Sequence, residues 1–142
     1  FIQKNGILCV NIRPHPWRSL KTSSSERLVP LVGSSKWAAE RILAQSTESR
    51  FAFPNYNDGQ RTNANSASAA LNKWLHPYVP DGCTMHSFRH SMRDRLRAVQ
   101  CPSDITDQIG GWTTDGVGQG YGSGYPLNML NEWVEKALVR VD

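Results

Sequence analysis

The spacing of apolar residues changes once along the chain, after Val32. Before that point lie two short, β-branched apolar runs, Gly6–Ile12 and Arg27–Val32, joined by the Pro- and Ser-rich segment "RPHPWRSLKTSSSE". The two runs predict a two-stranded antiparallel ribbon with an irregular tip. Pro30 lies inside the second run and indicates an edge strand, because a proline has no amide hydrogen to donate to a further neighbour.

After Val32 the repeat becomes helical in five segments, which predicts five helices. The fourth is the short helix Ser103–Ile109, and Pro126 opens the last at a first-turn position. The expected N-cap residues of the first three are Ser34 or Ser35, Asn65 and Thr84. In the first, second, third and last helices, the residues at helical spacing are Trp37, Ala38, Arg41, Ile42 and Gln45; Ala67, Ala70, Leu71 and Trp74; Met85, Phe88, Met92, Leu96 and Val99; and Leu127, Leu130, Val134 and Leu138.

These elements predict an α+β fold that is mainly α-helical, with a small N-terminal β-hairpin packed on a helical bundle. The segment 50–63, "RFAFPNYNDGQRTN", is expected to be a loop because it is rich in Pro, Asn, Asp and Gly. A length of 142 residues suits one domain with its own core.

The start of the chain, "FIQKNGILCVNI", has neither an initiator Met nor a signal segment, so we expect it to be part of a longer protein. No apolar run approaches the roughly 20 residues that a membrane-spanning helix needs. We therefore expect a soluble domain without a membrane partner.

Charge and cysteine content narrow the function only slightly. Sixteen Lys and Arg against twelve Asp and Glu give a net charge of +4, which suits a polyanionic partner and equally suits a mildly basic protein without one. Cys9, Cys83 and Cys101 are widely separated, which favours free thiols in a reducing compartment. Neither these cysteines nor the four histidines have the spacing of metal ligands, so we expect no metal and no cofactor.

The third predicted helix, "TMHSFRHSMRDRLRAVQ", carries a row of arginines beside its apolar stripe. Arg89, Arg93 and Arg97 are spaced by four, and His86 lies three residues before Arg89 on the same side. For Arg93, Arg95 and Arg97 we favour a solvated basic face over a catalytic role. His86 and Arg89 instead lie in the first turn, beside the core stripe, where a planar guanidinium suits phosphate oxygens.

Two further segments have candidate chemistry. Lys21, at the ribbon tip, could reach a phosphate across a groove or be a solvated turn residue. The strip "GGWTTDGVGQGYGSGYPL", from Gly110 to Leu127, lacks the G-K-[ST] of a phosphate loop. Tyr121 within it could be a covalent nucleophile or a loop aromatic packed over a helix end.

Taken in order, these features resemble the tyrosine recombinase (phage integrase) family. The resemblance rests on a ribbon-tip lysine before "SSSERLVP", an H-x-x-R box in "HSFRHSMRDRL", a "GGW", and a tyrosine nine residues after that tryptophan. It implies that residues 1–142 form part of a recombinase catalytic domain, with that domain's fold, and that the catalytic set is Lys21, His86, Arg89, Trp112 and Tyr121. It also implies that Arg18, His90, Arg93 and Arg97 contact DNA.

The resemblance further implies the reaction and its setting. Tyrosine would attack a DNA phosphodiester, giving a 3′-phosphotyrosyl link, and another strand would reverse the step without metal or cofactor. The implied partner is double-stranded DNA, bound by a homotetramer that could be monomeric without it. The implied location is the cytoplasm of a bacterial cell, with the protein encoded by a phage or prophage.

The sequence departs from the family in two respects. An arginine that the family carries upstream of the ribbon is absent, as is the preceding DNA-clamping domain, and loss of one such donor costs on the order of a hundred- to a thousandfold in rate. We therefore expect the chain by itself to be nearly inactive. Because "GGW" leads into a glycine-rich strip, Tyr125 is a rival nucleophile, although its place before Pro126 favours a role in starting the last helix.

Three alternatives remain at this point. The chain could relax DNA in the manner of a type IB topoisomerase, or be a DNA-binding regulatory relative that has lost catalysis. It could also be a helical adaptor with no nucleic-acid partner.

Overall fold

The computed structural model describes residues 1–22, 25–45, 49–112 and 124–138. Within them lie three strands, β1 (Ile2–Lys4), β2 (Ile7–Ile12) and β3 (Arg27–Pro30), and five α-helices. The helices are α1 (Gly33–Leu43), α2 (Ala64–Leu75), α3 (Ser87–Ala98), α4 (Ser103–Gly110) and α5 (Leu127–Leu138). About half of the described residues are helical, which confirms the mainly helical α+β class.

The sheet has one strand more than the predicted ribbon. β1 and β2 form a hairpin in which Asn5 and Gly6 both have positive φ, 52° and 78°, as a two-residue turn of this kind requires. The Asn-Gly pair is the sequence signal for this turn, and the prediction misses it because it places Gly6 at the start of a strand. β3 pairs with β2 alone, so the predicted edge position of Pro30 is confirmed, although β3 ends there rather than at Val32.

The three predicted helix caps are wrong by two or three residues. Val32 occupies the N-cap position of α1, and the Ser35 hydroxyl bonds back to its backbone amide and carbonyl from inside the first turn. Asn63, not Asn65, caps α2 by accepting from the amide of Ser66 at 3.2 Å. His86, not Thr84, is at the N-cap position of α3.

The core lies where the sheet meets α3, α4 and α5. Its buried members are Val32, Leu96, Cys101, Ile105, Ile109, Leu130, Val134 and Ala137, with Met92, Val99 and Trp133 packed against them. The last helix buries its apolar face here, against β2, β3 and α3. Its predicted apolar face therefore packs within its own domain.

Several residues predicted to face the core are exposed instead. In α3, Phe88 is 57% exposed, because the buried part of this helix is its C-terminal half around Leu96. In α2 only Leu75 is buried, since this helix contacts mainly the 3₁₀ turns at its two ends, Pro54–Tyr56 and His76–Tyr78. The other exposed residues of this group are Trp37, Ala70, Leu71, Trp74 and Leu138.

The predicted loop 50–63 has internal order. Asp58 accepts hydrogen bonds from the amides of Gln60 and Arg61 at 2.8 and 2.9 Å, and these bonds hold the pKa of its carboxyl below the ordinary value. Asn57 and Thr62 form an isolated antiparallel bridge that closes the turn. Among the described residues, no helix is long and apolar enough to cross a membrane.

Candidate functional site

The C-terminal end of α4 places the indole of Trp112. Gly111 has a φ of +61°, and the amides of Gly111 and Trp112 both bond to the carbonyl of Asp107. This is a glycine C-cap of the Schellman type. A Cβ at Gly110 would overlap the indole ring, so the first glycine of "GGW" leaves the space in which Trp112 turns back over the helix end.

Two arginines of α3 share this indole. The guanidinium carbon of Arg89 lies 4.4 Å from the ring centroid of Trp112, and that of Arg93 lies 5.1 Å from it. Both distances are within the range of cation–π attraction. Because Arg89 and Arg93 are one turn apart, the ring is in contact with both, and it joins the H-x-x-R box to "GGW" in space.

A buried carboxylate balances one of these charges. Asp107 of α4 is 5% exposed, and its Oδ1 lies 3.8 Å from Nη2 of Arg93, whose side chain is 40% exposed. Arg93 is therefore partly solvated and partly paired, whereas the sequence analysis favours a solvated face without a partner. Its Nε is buried and has no hydrogen-bond partner within the described residues.

A third guanidinium, which the sequence analysis did not select, completes the cluster. Arg27, at the start of β3, donates from Nε to the carbonyl of Ile109 at 3.0 Å and from Nη1 to the carbonyl of Ser25 at 2.7 Å. Burial and then the nearby charge of Arg89 lower the pKa of the Arg27 guanidinium. Its side chain occupies the space that a Cβ at Gly111 would need.

The charge balance of this cluster favours an anion. Among the described residues, the cluster holds the guanidiniums of Arg27, Arg89 and Arg93 and one carboxylate, that of Asp107, which pairs with Arg93, so positive charges exceed negative ones there by two. Arg27 and Arg89 are each only partly exposed, which weakens solvent screening of their repulsion. A phosphate group beside Arg89 would relieve that repulsion and accept planar hydrogen bonds.

The other predicted catalytic residues are His86, Lys21 and Tyr121. Among the described residues, no side-chain hydrogen bond, ion pair or ring contact joins the first two to the arginine cluster. His86 is exposed at the start of α3, and its ring meets that of His90 edge-to-face at 5.1 Å, so it is not fixed beside the core as expected. Lys21 is exposed. The next residue, Thr22, forms a hydrogen bond between its hydroxyl and the hydroxyl of Ser25. Tyr121 lies outside the described residues.

Tyr125 is held by its backbone. Its amide donates to Oε1 of Gln108 at 2.8 Å, and its carbonyl accepts from Nε2 of the same side chain at 3.2 Å. Tyr125 is therefore held against α4, the helix whose C-terminal end places Trp112. This double hydrogen bond agrees with the expected role of Tyr125 at the start of α5.

The predicted DNA-contacting residues are dispersed. Arg93 belongs to the cluster, and His90 lies one turn from it on α3. Arg97 is exposed and pairs with Asp94 at 3.4 Å. Arg18 lies in the segment between β2 and β3 and pairs with His15 in a short bridge.

No group of three or more His, Cys, Asp or Glu residues within the described ranges could hold a metal ion. Comparison of the chain with protein-family models, curated proteins and solved structures finds no match.

Proposed function

We propose that the natural protein that contains these residues is a tyrosine recombinase. Such an enzyme cuts and rejoins DNA strands at a defined site through a 3′-phosphotyrosyl intermediate. The observation that carries the proposal is the contact of Arg89 with Trp112, 4.4 Å from guanidinium carbon to ring centroid. Two of the motifs on which the family resemblance rests, separated by more than twenty residues in the sequence, meet at that contact. The uncompensated charge around it suits a phosphodiester.

In the proposed step, Tyr121 releases its phenolic proton to solvent, its oxygen forms a bond to phosphorus, and the bond from phosphorus to the 5′ oxygen breaks. The 5′ oxygen leaves as a hydroxyl after taking a proton from Lys21. Reversal by the 5′-hydroxyl of another strand needs no external energy source, because the phosphotyrosyl bond replaces the broken phosphodiester.

The arginine cluster would stabilise the charge that grows on the non-bridging oxygens. Arg89 would donate to them, with His86 beside it at the start of α3. Trp112 holds the Arg89 guanidinium by its ring face, so its part is to position Arg89. Arg27 adds to the positive field and, through its bond to the carbonyl of Ile109, ties β3 to the helix that carries Trp112.

The proposed setting follows from the same resemblance. Double-stranded DNA is the substrate, the active assembly is a homotetramer on two paired sites, and the protein acts in the cytoplasm of a bacterial host of a phage or prophage. Because α5 buries its apolar face in its own domain, contacts between copies would have to use another surface.

A covalent-trapping assay on the longest natural chain tests the proposal. A nicked suicide substrate, in which the released strand end diffuses away, should give a protein–DNA adduct with the wild type and with Tyr125→Phe but none with Tyr121→Phe. Arg89→Gln should lower the adduct rate by about a hundred- to a thousandfold, as loss of a preorganised donor does. Arg95→Gln, which removes an exposed arginine outside the expected DNA-contacting set from the same helix, is the matched control and should retain the rate.

Two results would overturn the proposal. An adduct that persists in Tyr121→Phe and vanishes in Tyr125→Phe would show that Tyr125, and not Tyr121, is the nucleophile. DNA binding without any adduct in the wild type would make the protein a binding module.

A further inference from the structure

A pocket of about 430 Å³ lies between the segment that follows β2 and the loop that follows α1. Its walls are formed by Arg13, His15, Trp17, Arg18, Arg50 and Phe51. None of these residues belongs to the cluster around Trp112. The pocket is within the size range of small-ligand sites.

Aromatic rings form one side of this pocket. The rings of His15 and Trp17 are stacked, with centroids 4.8 Å apart and planes 15° from parallel, and Phe51 meets Trp17 edge-on at 5.5 Å. Two backbone hydrogen bonds between His15 and Arg18, of 2.9 and 3.0 Å, hold this turn in shape. The wall is therefore a built platform of flat groups rather than a set of loose side chains.

The charged groups of the pocket are all positive. Arg13, Arg18 and Arg50 are exposed, and no acidic residue is among the described residues that line the pocket. The guanidinium of Arg50 lies over both rings, 5.5 Å from Trp17 and 5.0 Å from Phe51. Asp58, in the same loop, uses one carboxylate oxygen to bind two backbone amides.

Asn57 and Thr62 add hydrogen-bonding groups to the lining. The Asn57 Nδ2 donates to Thr62 Oγ1 at 3.3 Å, which holds these groups at the pocket wall. The pocket thus combines flat rings, three guanidiniums and a polar edge. A ligand that uses all three has an aromatic ring with polar edges and a phosphate, and a nucleotide has this chemistry.

We propose that this pocket binds a single nucleotide, with its base against the Trp17–Phe51 wall and Arg50, and its phosphate on Arg13 and Arg18. The base must be unpaired, because a base inside a duplex exposes neither face for stacking. Its source is a free mononucleotide or one residue of a single DNA strand. The inference does not depend on strand cleavage, since the pocket has none of the proposed catalytic residues in its lining.

The test measures binding by the longest natural chain, in a Tyr121→Phe background so that cleavage cannot contribute. The probes are a short fluorescein-labelled oligothymidylate and the same strand with abasic spacers in place of its bases, each followed by fluorescence anisotropy. Base stacking contributes about 1–3 kcal/mol, so the strand with bases should bind about tenfold more tightly than the abasic strand.

Substitutions in the pocket should remove this preference. Trp17→Leu should make the two strands equal, and Arg50→Gln should weaken binding of the strand with bases by about tenfold. The matched controls are Trp37→Leu and Arg41→Gln, because Arg41 lies 5.1 Å over the exposed indole of Trp37 on α1, and neither residue lines the pocket. Arg50 is exposed, so Arg50→Gln keeps the test valid if Trp17→Leu fails to fold.

Thymidine monophosphate as a competitor separates the two sources. Competition means that the pocket accepts free nucleotides, and its absence, with the base preference intact, means that it accepts a strand; both results support the proposal. Equal binding of the two strands by the wild type, or a base preference that survives both pocket substitutions, would overturn it. Either overturning result leaves the cleavage assay unaffected.

Discussion

Trp112 holds its position because the two residues before it lack side chains. Gly110 leaves room for the indole ring, and Gly111 adopts a left-handed conformation under the Arg27 side chain. The indole in turn faces Arg89 and Arg93. At this scale the "GGW" motif is a positioning device, whose glycines are required by close approach and by backbone conformation.

Substitution of Gly111 by Ala should destabilise the protein by about 2 kcal/mol or more. A left-handed conformation alone costs an L-residue about 1–2 kcal/mol, and the new methyl group would also displace Arg27. The measurement is the free energy of unfolding in urea. Gly82→Ala is the control, because Gly82 has a φ of +84° but open space around it, so it should lose only the backbone contribution. Equal losses for the two variants would contradict the role given to the Arg27 contact.

Asp107→Asn should lower the free energy of unfolding by about 2 kcal/mol. Removal of one partner of a fully buried ion pair costs about 3–5 kcal/mol, and the cost is smaller here because the Arg93 side chain is 40% exposed. Asp94→Asn removes the carboxylate of the exposed pair with Arg97, and its cost should be below about 1 kcal/mol. Urea unfolding measures the free energy of unfolding of both variants. A larger decrease for Asp94→Asn than for Asp107→Asn would contradict this prediction.

At the scale of elements, the sequence predicted which segments are helices and which are strands, but it did not predict the residues at which they begin and end. All five helices and two of the three strands lie where the apolar spacing predicted them. Of the three helices with a predicted cap, only α2 has a capping side chain at its N-cap, Asn63, and there two nearby asparagines compete for the free amides. The N-cap residues of α1 and α3, Val32 and His86, cap with no side chain, so the preference for Ser and Thr does not identify them. The apolar side of α2 was misassigned, since the helical repeat does not reveal whether another element covers it.

The N-terminal end of α2 offers a direct test of the cap assignment. Asn63→Ala should destabilise this helix by about 1 kcal/mol, because the amide of Ser66 loses its acceptor. Asn65→Ala, two residues later and inside the helix, should have no such cost, since alanine has the higher helix propensity. Hydrogen exchange of the α2 amides measures both, and faster exchange in Asn65→Ala alone would reverse the assignment.

For the whole molecule, packing of the sheet on α3, α4 and α5 brings the candidate site together. β3 supplies Arg27, α3 supplies Arg89 and Arg93, and the end of α4 supplies Asp107 and Trp112. The same packing buries Cys9 and Cys101 and leaves Cys83 exposed. Burial raises the pKa of both buried thiols.

Thiol labelling should follow this division. In the native protein, iodoacetamide should modify Cys83 rapidly and should modify Cys9 and Cys101 only as the fold opens, because a buried thiol is both shielded and less ionised. Residue-resolved mass spectrometry measures the three rates, and Cys83→Ser should remove the fast reaction. Comparable rates at all three cysteines would contradict the packing of the core.

The two buried thiols, Cys9 and Cys101, make the stability of the fold depend on pH. Their pKa values are raised on folding, so the unfolded chain loses these protons first. The stability they contribute is complete below the unfolded value, about 8.5, and falls as the pH rises through the folded values.

The sequence by itself determined the helical and extended segments and the edge position of Pro30, because these depend on local spacing and on residue type. It also selected Arg89 and Trp112, which the fold brings into contact. Tertiary structure decided which of the arginines are solvated and which are paired. Arg27 and Ile109 are 82 positions apart, and Arg93 meets Asp107 only because α3 packs on α4. A side chain's charge environment is set by the elements that pack around it, and the periodicity of its own segment carries no information about them.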